Sequence, residues 1–295
     1  MSSPIRNPRS ARRRLVAAAA LGASVALAPV MSAVPASAQP AASSSAIPLG
    51  DGYLGVGYTQ DGAAFKPDTR QVRPDAEAGV TPLAAQSVGI DVSHYQGTIN
   101  WASVKSAGIQ FAYIKATEST TYKDPNFSAN YLHAYNANVI RGAYHFARPN
   151  LSTGAAQATY FAANGGAWSR DNLTLPGMLD LEGGCYDKSA SAMQTWILDF
   201  YNTYKAKTGR DVVIYTSPSW WSSCTGGWGG MSARSPLFVA NWTSASSPSI
   251  PAGFPYWTFW QYTDSGQVGG ISGAVDRDRF SGDSSRLLAL ANNTP

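Results

Sequence analysis

Charge is scarce in this sequence. Only 14% of its residues are Asp, Glu, Lys or Arg, against 44% hydrophobic. A sizeable core can therefore be buried, and the surface must lean on uncharged polar groups. A basic face is lacking too. The formal net charge of +4 is carried by Arg6, Arg9, Arg12, Arg13 and Arg14, and without residues 1–38 it falls to −1. That leaves no clustered positive surface for nucleic acid. Three scattered histidines and two cysteines without Cys-x-x-Cys spacing give no metal-ligand pattern, and nothing calls for a cofactor. No Gly-x-Ser-x-Gly elbow or phosphate-cradling glycine loop occurs, which removes serine hydrolases and nucleotide enzymes of those types. Beyond the N-terminal region no apolar run is long enough to cross a membrane, so no membrane insertion of the mature protein is expected.

What is present begins with a leader. A basic stretch ends at Arg14, an apolar run extends from Leu15 to about Met31, and Ala36-Ser37-Ala38 fits the small-residue cleavage rule. Residues 1–38 thus read as a signal peptide, with ordinary secretion ahead of a twin-arginine route. In an oxidising compartment the isolated pair Cys185 and Cys224 is expected to form a disulfide. Residues 39–87 are rich in Ala, Ser, Gly, Pro and Asp without a sustained apolar period. They read as a largely irregular linker or pro-segment that cannot bury a core of its own, with room for a short ordered patch around Tyr53–Tyr58.

From Val88 to the end, strand and helix signals alternate. Apolar strands are expected at 89–92, 110–116, 140–146, 176–182, 211–216, 237–241, 257–262 and near 272–275. A helix is expected after Asp124-Pro125, with Asp as N-cap, and another at 154–163. The clearest helix spans Ser191–Thr208, where Met193, Trp196, Ile197, Phe200, Tyr201 and Tyr204 keep an i, i+3, i+4 rhythm until Gly209. The fold class is α/β: an irregular (β/α) TIM-like barrel with about eight strands and fewer helices over 88–295. Such barrels carry their chemistry at the carboxyl ends of the strands.

Carboxylates fall at those ends: Asp91 near the end of strand one, Asp180 and Glu182 at the end of strand four, Asp276 near the end of the last. Alternation points Asp180 and Glu182 to one face, with Cα atoms roughly 6.6 Å apart. Two carboxylates that close repel when both are ionised, so one is expected to keep a proton, as a general acid requires. Gly183-Gly184 leaves them room to face a ligand. Aromatics crowd the last third (Trp220, Trp221, Trp242, Trp257, Trp260), and Tyr95, Tyr144 and Tyr262 lie beside strand ends. Aromatic faces suit sugar rings, although many such residues serve only as core. His94, His133 and His145 are read as structural.

Six ordered motifs carry a family resemblance: Gly89–Gly97, Phe111–Glu118, Arg141–Phe146, Leu179–Glu182, Phe259–Tyr262 and Asp276–Phe280. Together they resemble the family 25 glycoside hydrolases, most of all the secreted actinomycete lysozymes of the Chalaropsis-type muramidase group. The resemblance runs from about Val88 to Asn292. It implies hydrolysis of the β-1,4 bond from N-acetylmuramic acid to N-acetylglucosamine, with bacterial cell-wall peptidoglycan as the partner. It also implies roles: Glu182 as proton donor, Asp180 as the second strand-four carboxylate, Asp91 and Asp276 flanking them, and Tyr144 lining the cleft. Tyr95, Trp242, Trp260 and Gln261 join Tyr144 as candidate substrate contacts. A substrate-assisted route and an inverting route both remain open, the former favoured by the 2-acetamido group of the sugar. Chitinase-like hydrolysis and non-catalytic wall binding are the rival functions. Nothing requires more than a monomer.

Overall fold

The computed structural model describes residues 47–56 and 86–294. The expected signal peptide, residues 1–38, and most of the 39–87 segment lie outside the described residues. Nine strands occur among the described residues: β1 (Val88–Val92), β2 (Phe111–Glu118), β3 (Tyr122–Lys123), β4 (Ile140–Phe146), β5 (Met178–Asp180), β6 (Val213–Thr216), β7 (Leu237–Ala240), β8 (Phe259–Gly266) and β9 (Val275–Phe280). Eight of them close a barrel in the order β1-β9-β8-β7-β6-β5-β4-β2, sealed by the pairing of β2 with β1; β3 is a short antiparallel addition to β2. Six α-helices surround it among the described residues: α1 (Trp101–Ser106), α2 (Phe127–Asn136), α3 (Gly154–Phe161), α4 (Ala190–Thr208), α5 (Pro218–Thr225) and α6 (Ser284–Asn292). The expected irregular α/β barrel is the fold observed.

Strand alternation divides the core in two. Phe111, Tyr113, Ile140, Tyr144, Met178, Val213, Tyr215, Phe238, Phe259 and Phe280 form one buried cluster, filling the barrel. Their neighbours one residue along, such as Ala112, Ile114, Leu179, Ile214 and Trp260, pack outward with the helices in the larger cluster. Gly142 is needed inside: a Cβ there would stand 2.3 Å from the Tyr113 ring. Helix α4 starts on the Ser189 cap and stops at left-handed Gly209, as its pattern indicates. Cys185 and Cys224 are joined, pinning the loop after β5 to α5.

Two expectations need correction. Helix α2 is not capped by Asp124: it begins at Phe127 after Asn126. The Asp124 carboxylate instead accepts the backbone N–H groups of His94 and Asn126, both at 2.9 Å. The last strand lies at Val275–Phe280 rather than near 272–275, and it runs antiparallel to both neighbours. Its Val-Asp-Arg-Asp-Arg-Phe sequence carries no apolar run, because Asp276, Asp278 and Phe280 are buried while Arg277 and Arg279 between them are partly exposed.

Candidate active site

The reversal of β9 places the start of that strand at the carboxyl end of the barrel. Asp276 is therefore directly opposite Asp91 in the β1–β9 register, and the two carboxyls lie within hydrogen-bond reach of each other. Gln261, on the inward face of β8, donates from Nε2 to Asp91 Oδ2 at 2.8 Å. Its own Oε1 accepts from Tyr215 Oη (2.9 Å) and Trp242 Nε1 (3.0 Å). Two donors on that oxygen fix the amide so that its nitrogen must face the aspartate.

Across the barrel mouth, β5 ends at Asp180, and Glu182 follows two residues on. Asp180 is fully buried, and neither of its oxygens meets an N–H or hydroxyl donor among the described residues. Glu182 lies within hydrogen-bond reach of it. Burial is the first cause that pushes the Asp180 carboxyl well above the usual range, and the facing Glu182 charge is the second; Lys115 opposes both. Burial likewise raises Asp91 to about 7, held back by its bonds to Gln261 and Asp276. Asp276 and buried Asp278 are pushed up for the same reason, each with the Asp91 charge adding to it. Carboxyl groups crowded in low dielectric cannot all ionise, so this mouth retains protons near neutral pH.

Beside the acids sits a cation cluster. Lys115 is fully buried on the inward face of β2 and pairs with Glu118 at 2.7 Å. Arg148 grips the other oxygen of Glu118 through Nε at 2.7 Å and through a second guanidinium nitrogen. One carboxylate thus compensates two buried cations, leaving the cluster net positive next to the acidic pair. His145 is different: Thr117 and Gln157 satisfy its ring nitrogens, and burial lowers its pKa to about 4. It is a neutral core histidine.

The structure brings Asp91, Asp180, Glu182 and Asp276 together, with Tyr144 buried on β4 within reach of the Asp91 and Asp180 charges. Trp242 joins them through Gln261. Tyr95 stands at the rim, half exposed, on the 3-10 turn His94–Gln96. Trp260 is not in the site. Adjacent to inward-facing Gln261, it points to the outer face of β8, where it packs with Trp257 and Tyr262 and donates to the Asn241 carbonyl at 2.7 Å. Sequence reading missed Lys115, Glu118, Arg148, Tyr215 and Asp278. Strand parity gives a signal for two of them: Lys115 shares a face with Phe111 and Tyr113, and Asp278 shares one with Asp276.

The chain matches the sequence model described as Glycosyl hydrolases family 25 over residues 90–271. Lysozyme M1 of Streptomyces globisporus is 57% identical over 274 residues, covering 91% of this chain and 90% of its own. An N,O-diacetylmuramidase of Chalaropsis is 48% identical over 200 residues, 64% of this chain and 95% of its own. Among solved structures, a bacterial lysozyme from Streptomyces coelicolor aligns with a TM-score of 0.70 at 64% identity, covering 72% of this chain and 99% of that one. With the ordered motifs and the closed barrel, these findings make the chain a member of glycosyl hydrolase family 25.

Proposed function

We propose that this chain is an exported lysozyme that hydrolyses the β-1,4 bond between N-acetylmuramic acid and N-acetylglucosamine in bacterial peptidoglycan. The observation that carries the reading is the Asp180–Glu182 pair, two carboxyls within hydrogen-bond reach at the end of one barrel strand. The lysozyme and muramidase names of the relatives support the substrate. Residues 1–38 serve as the export signal and 88–295 as the catalytic barrel. The mature protein acts as a monomer on the wall.

The proton held by the Asp180–Glu182 pair passes through Glu182 to the glycosidic oxygen as that bond breaks, which leaves Asp180 ionised. Positive charge develops at the anomeric carbon, and the surrounding carboxylates stabilise it. Asp180 hydrogen-bonds the N–H of the 2-acetamido group and orients its carbonyl oxygen, which attacks the anomeric carbon from the opposite face. Glu182, now ionised, then takes a proton from the water that opens the cyclic intermediate, restoring both groups. The closeness of Asp180 to Glu182 favours this route, since inverting pairs usually stand about 6.5–9.5 Å apart. Gln261 and Asp276 position Asp91 at the opposite wall of the cleft.

Proton NMR of the first-formed reducing ends tests the route. Retention of the β-anomer is expected, and an Asp180→Asn variant should lose at least about a hundredfold in kcat, the scale of a positioned polar group. Initial α-anomer would transfer the role of base to Asp91 or Asp276.

A further inference from the structure

Residues 47–56, Ile-Pro-Leu-Gly-Asp-Gly-Tyr-Leu-Gly-Val, lie upstream of the barrel, yet they are threaded through the site just described. At one end the Pro48 carbonyl accepts from an Arg148 guanidinium nitrogen at 2.7 Å. Lys115 Nζ donates to the Gly50 carbonyl at 3.1 Å and also to that of Gly52. At the other end the backbone N–H of Gly55 donates to Glu182 Oε1 at 2.9 Å. Backbone acceptors thus meet the cation cluster, and a backbone donor meets the candidate acid. The polar groups of the segment are in the order the cleft demands.

The apolar fit is as close. Leu54 is completely buried and belongs to the core cluster that includes Tyr144 and Tyr215. Ile47 and Val56 pack with Phe146. Tyr53 sets its ring edge against Tyr95, whose hydroxyl reaches Asp51 Oδ1 at 3.2 Å. A Cβ on Gly52 would fall 2.6 Å from the Phe146 ring, and one on Gly55 would fall 2.8 Å from Trp242. Bare backbone is required at both points for the segment to lie this deep. Asp51, its one charged residue, is kept at the exposed rim, away from the buried carboxyls.

We propose that residues 47–56 are a built-in inhibitor of the cleft, so that the full chain is latent and becomes active when this segment is cut away or displaced. The proposal rests on the lysozyme reading for what is inhibited. No sugar can receive a proton from the Glu182 oxygen that accepts the Gly55 amide, because that oxygen must donate to act as an acid. Nor can an acetamido or hydroxyl group reach Lys115, whose ammonium is buried beneath the Gly50 and Gly52 carbonyls. The segment competes through the same donors and acceptors that a glycan would use. Its covalent link gives it a high effective concentration, which a cut in residues 57–85 abolishes. Within that stretch Lys66 and Arg73 precede prolines, so Arg70-Gln71 is the bond open to a trypsin-like protease.

The test compares the full chain with its Gly52→Leu and Leu54→Asp variants, which alter the segment and leave every barrel residue intact. Lysis of purified peptidoglycan and co-sedimentation with it are both measured, with near-UV circular dichroism as the check on folding. Expected are at least a tenfold rise in lysis and a higher bound fraction for both variants. Synthetic peptide 47–56 should reverse both, raising KM rather than lowering kcat. Activity of the unaltered chain should rise in step with cleavage at Arg70. Equal lysis and equal binding by all three chains would overturn the proposal. Higher binding by the variants with no lysis from any chain would uphold the occlusion and refute the lysozyme reading instead.

Discussion

Replacing Asp91 with Asn should make the protein more stable at neutral pH, and the size of the gain follows from the burial of that carboxyl. Asp91 is 1% exposed and its pKa stands at about 7, against an ordinary value of 3.8. A group raised in the folded state contributes stability that is fully present below the unfolded pKa and is lost as pH rises through the folded one. The window is therefore pH 4 to 7. Three units at about 1.4 kcal/mol each give roughly 4 kcal/mol as the ceiling. Asn matches protonated Asp in shape and can still accept from Gln261 Nε2. Wild type and Asp91→Asn should accordingly have similar unfolding free energies near pH 4 and diverge by up to that amount near pH 8, the variant being the more stable. Urea unfolding followed by tryptophan fluorescence at each pH reads the difference. Parallel pH profiles for the two proteins would refute the burial argument. Instability of this kind fits a site that keeps crowded carboxyls for chemistry at the expense of the fold.

Two other perturbations have definite expectations. Replacing both Cys185 and Cys224 with Ser opens a cross-link between residues 39 apart in sequence; the chain-entropy relation puts the cost near 4 kcal/mol, visible as a lowered urea midpoint at unchanged far-UV signal. Glu118→Gln leaves Lys115 and Arg148 buried without their shared counter-charge, which should cost about 3–5 kcal/mol in the same unfolding assay.

The barrel was legible because its strands are buried on both faces, so the apolar segments expected at 110–116, 140–146 and 211–216 announce themselves. Asp180 and Glu182 could be paired from a strand expected to run to 182, although β5 ends at Asp180 and Glu182 is brought beside it by the loop that follows. Asp276 could be placed at a strand end but not oriented, because no local feature of Val275–Phe280 reveals that the strand runs backwards. Trp260 misleads for a related reason: its residue type suits a sugar, but its parity in β8 sends it outward. Lys115 and Glu118 sit in a run whose every member is buried, and their partner Arg148 is brought to them only by tertiary folding. Residues 47–56 were the least legible. They have no period and little apolar content between Leu49 and Leu54, and their order comes entirely from a cleft assembled by residues far along the chain. The ordered patch expected at Tyr53–Tyr58 overlaps them, while residues 57–58 lie outside the described residues.

The most direct test of the central claim is mass spectrometry of borohydride-reduced muropeptides from purified peptidoglycan. The digest uses the chain after cleavage of residues 57–85, and in parallel the same preparation of Glu182→Gln. The expected result is fragments ending in reduced muramic acid from the wild type, with the variant nearly silent and its circular dichroism unchanged. Ends at reduced glucosamine would contradict the bond assignment, and an active Glu182→Gln would contradict the assignment of the acid.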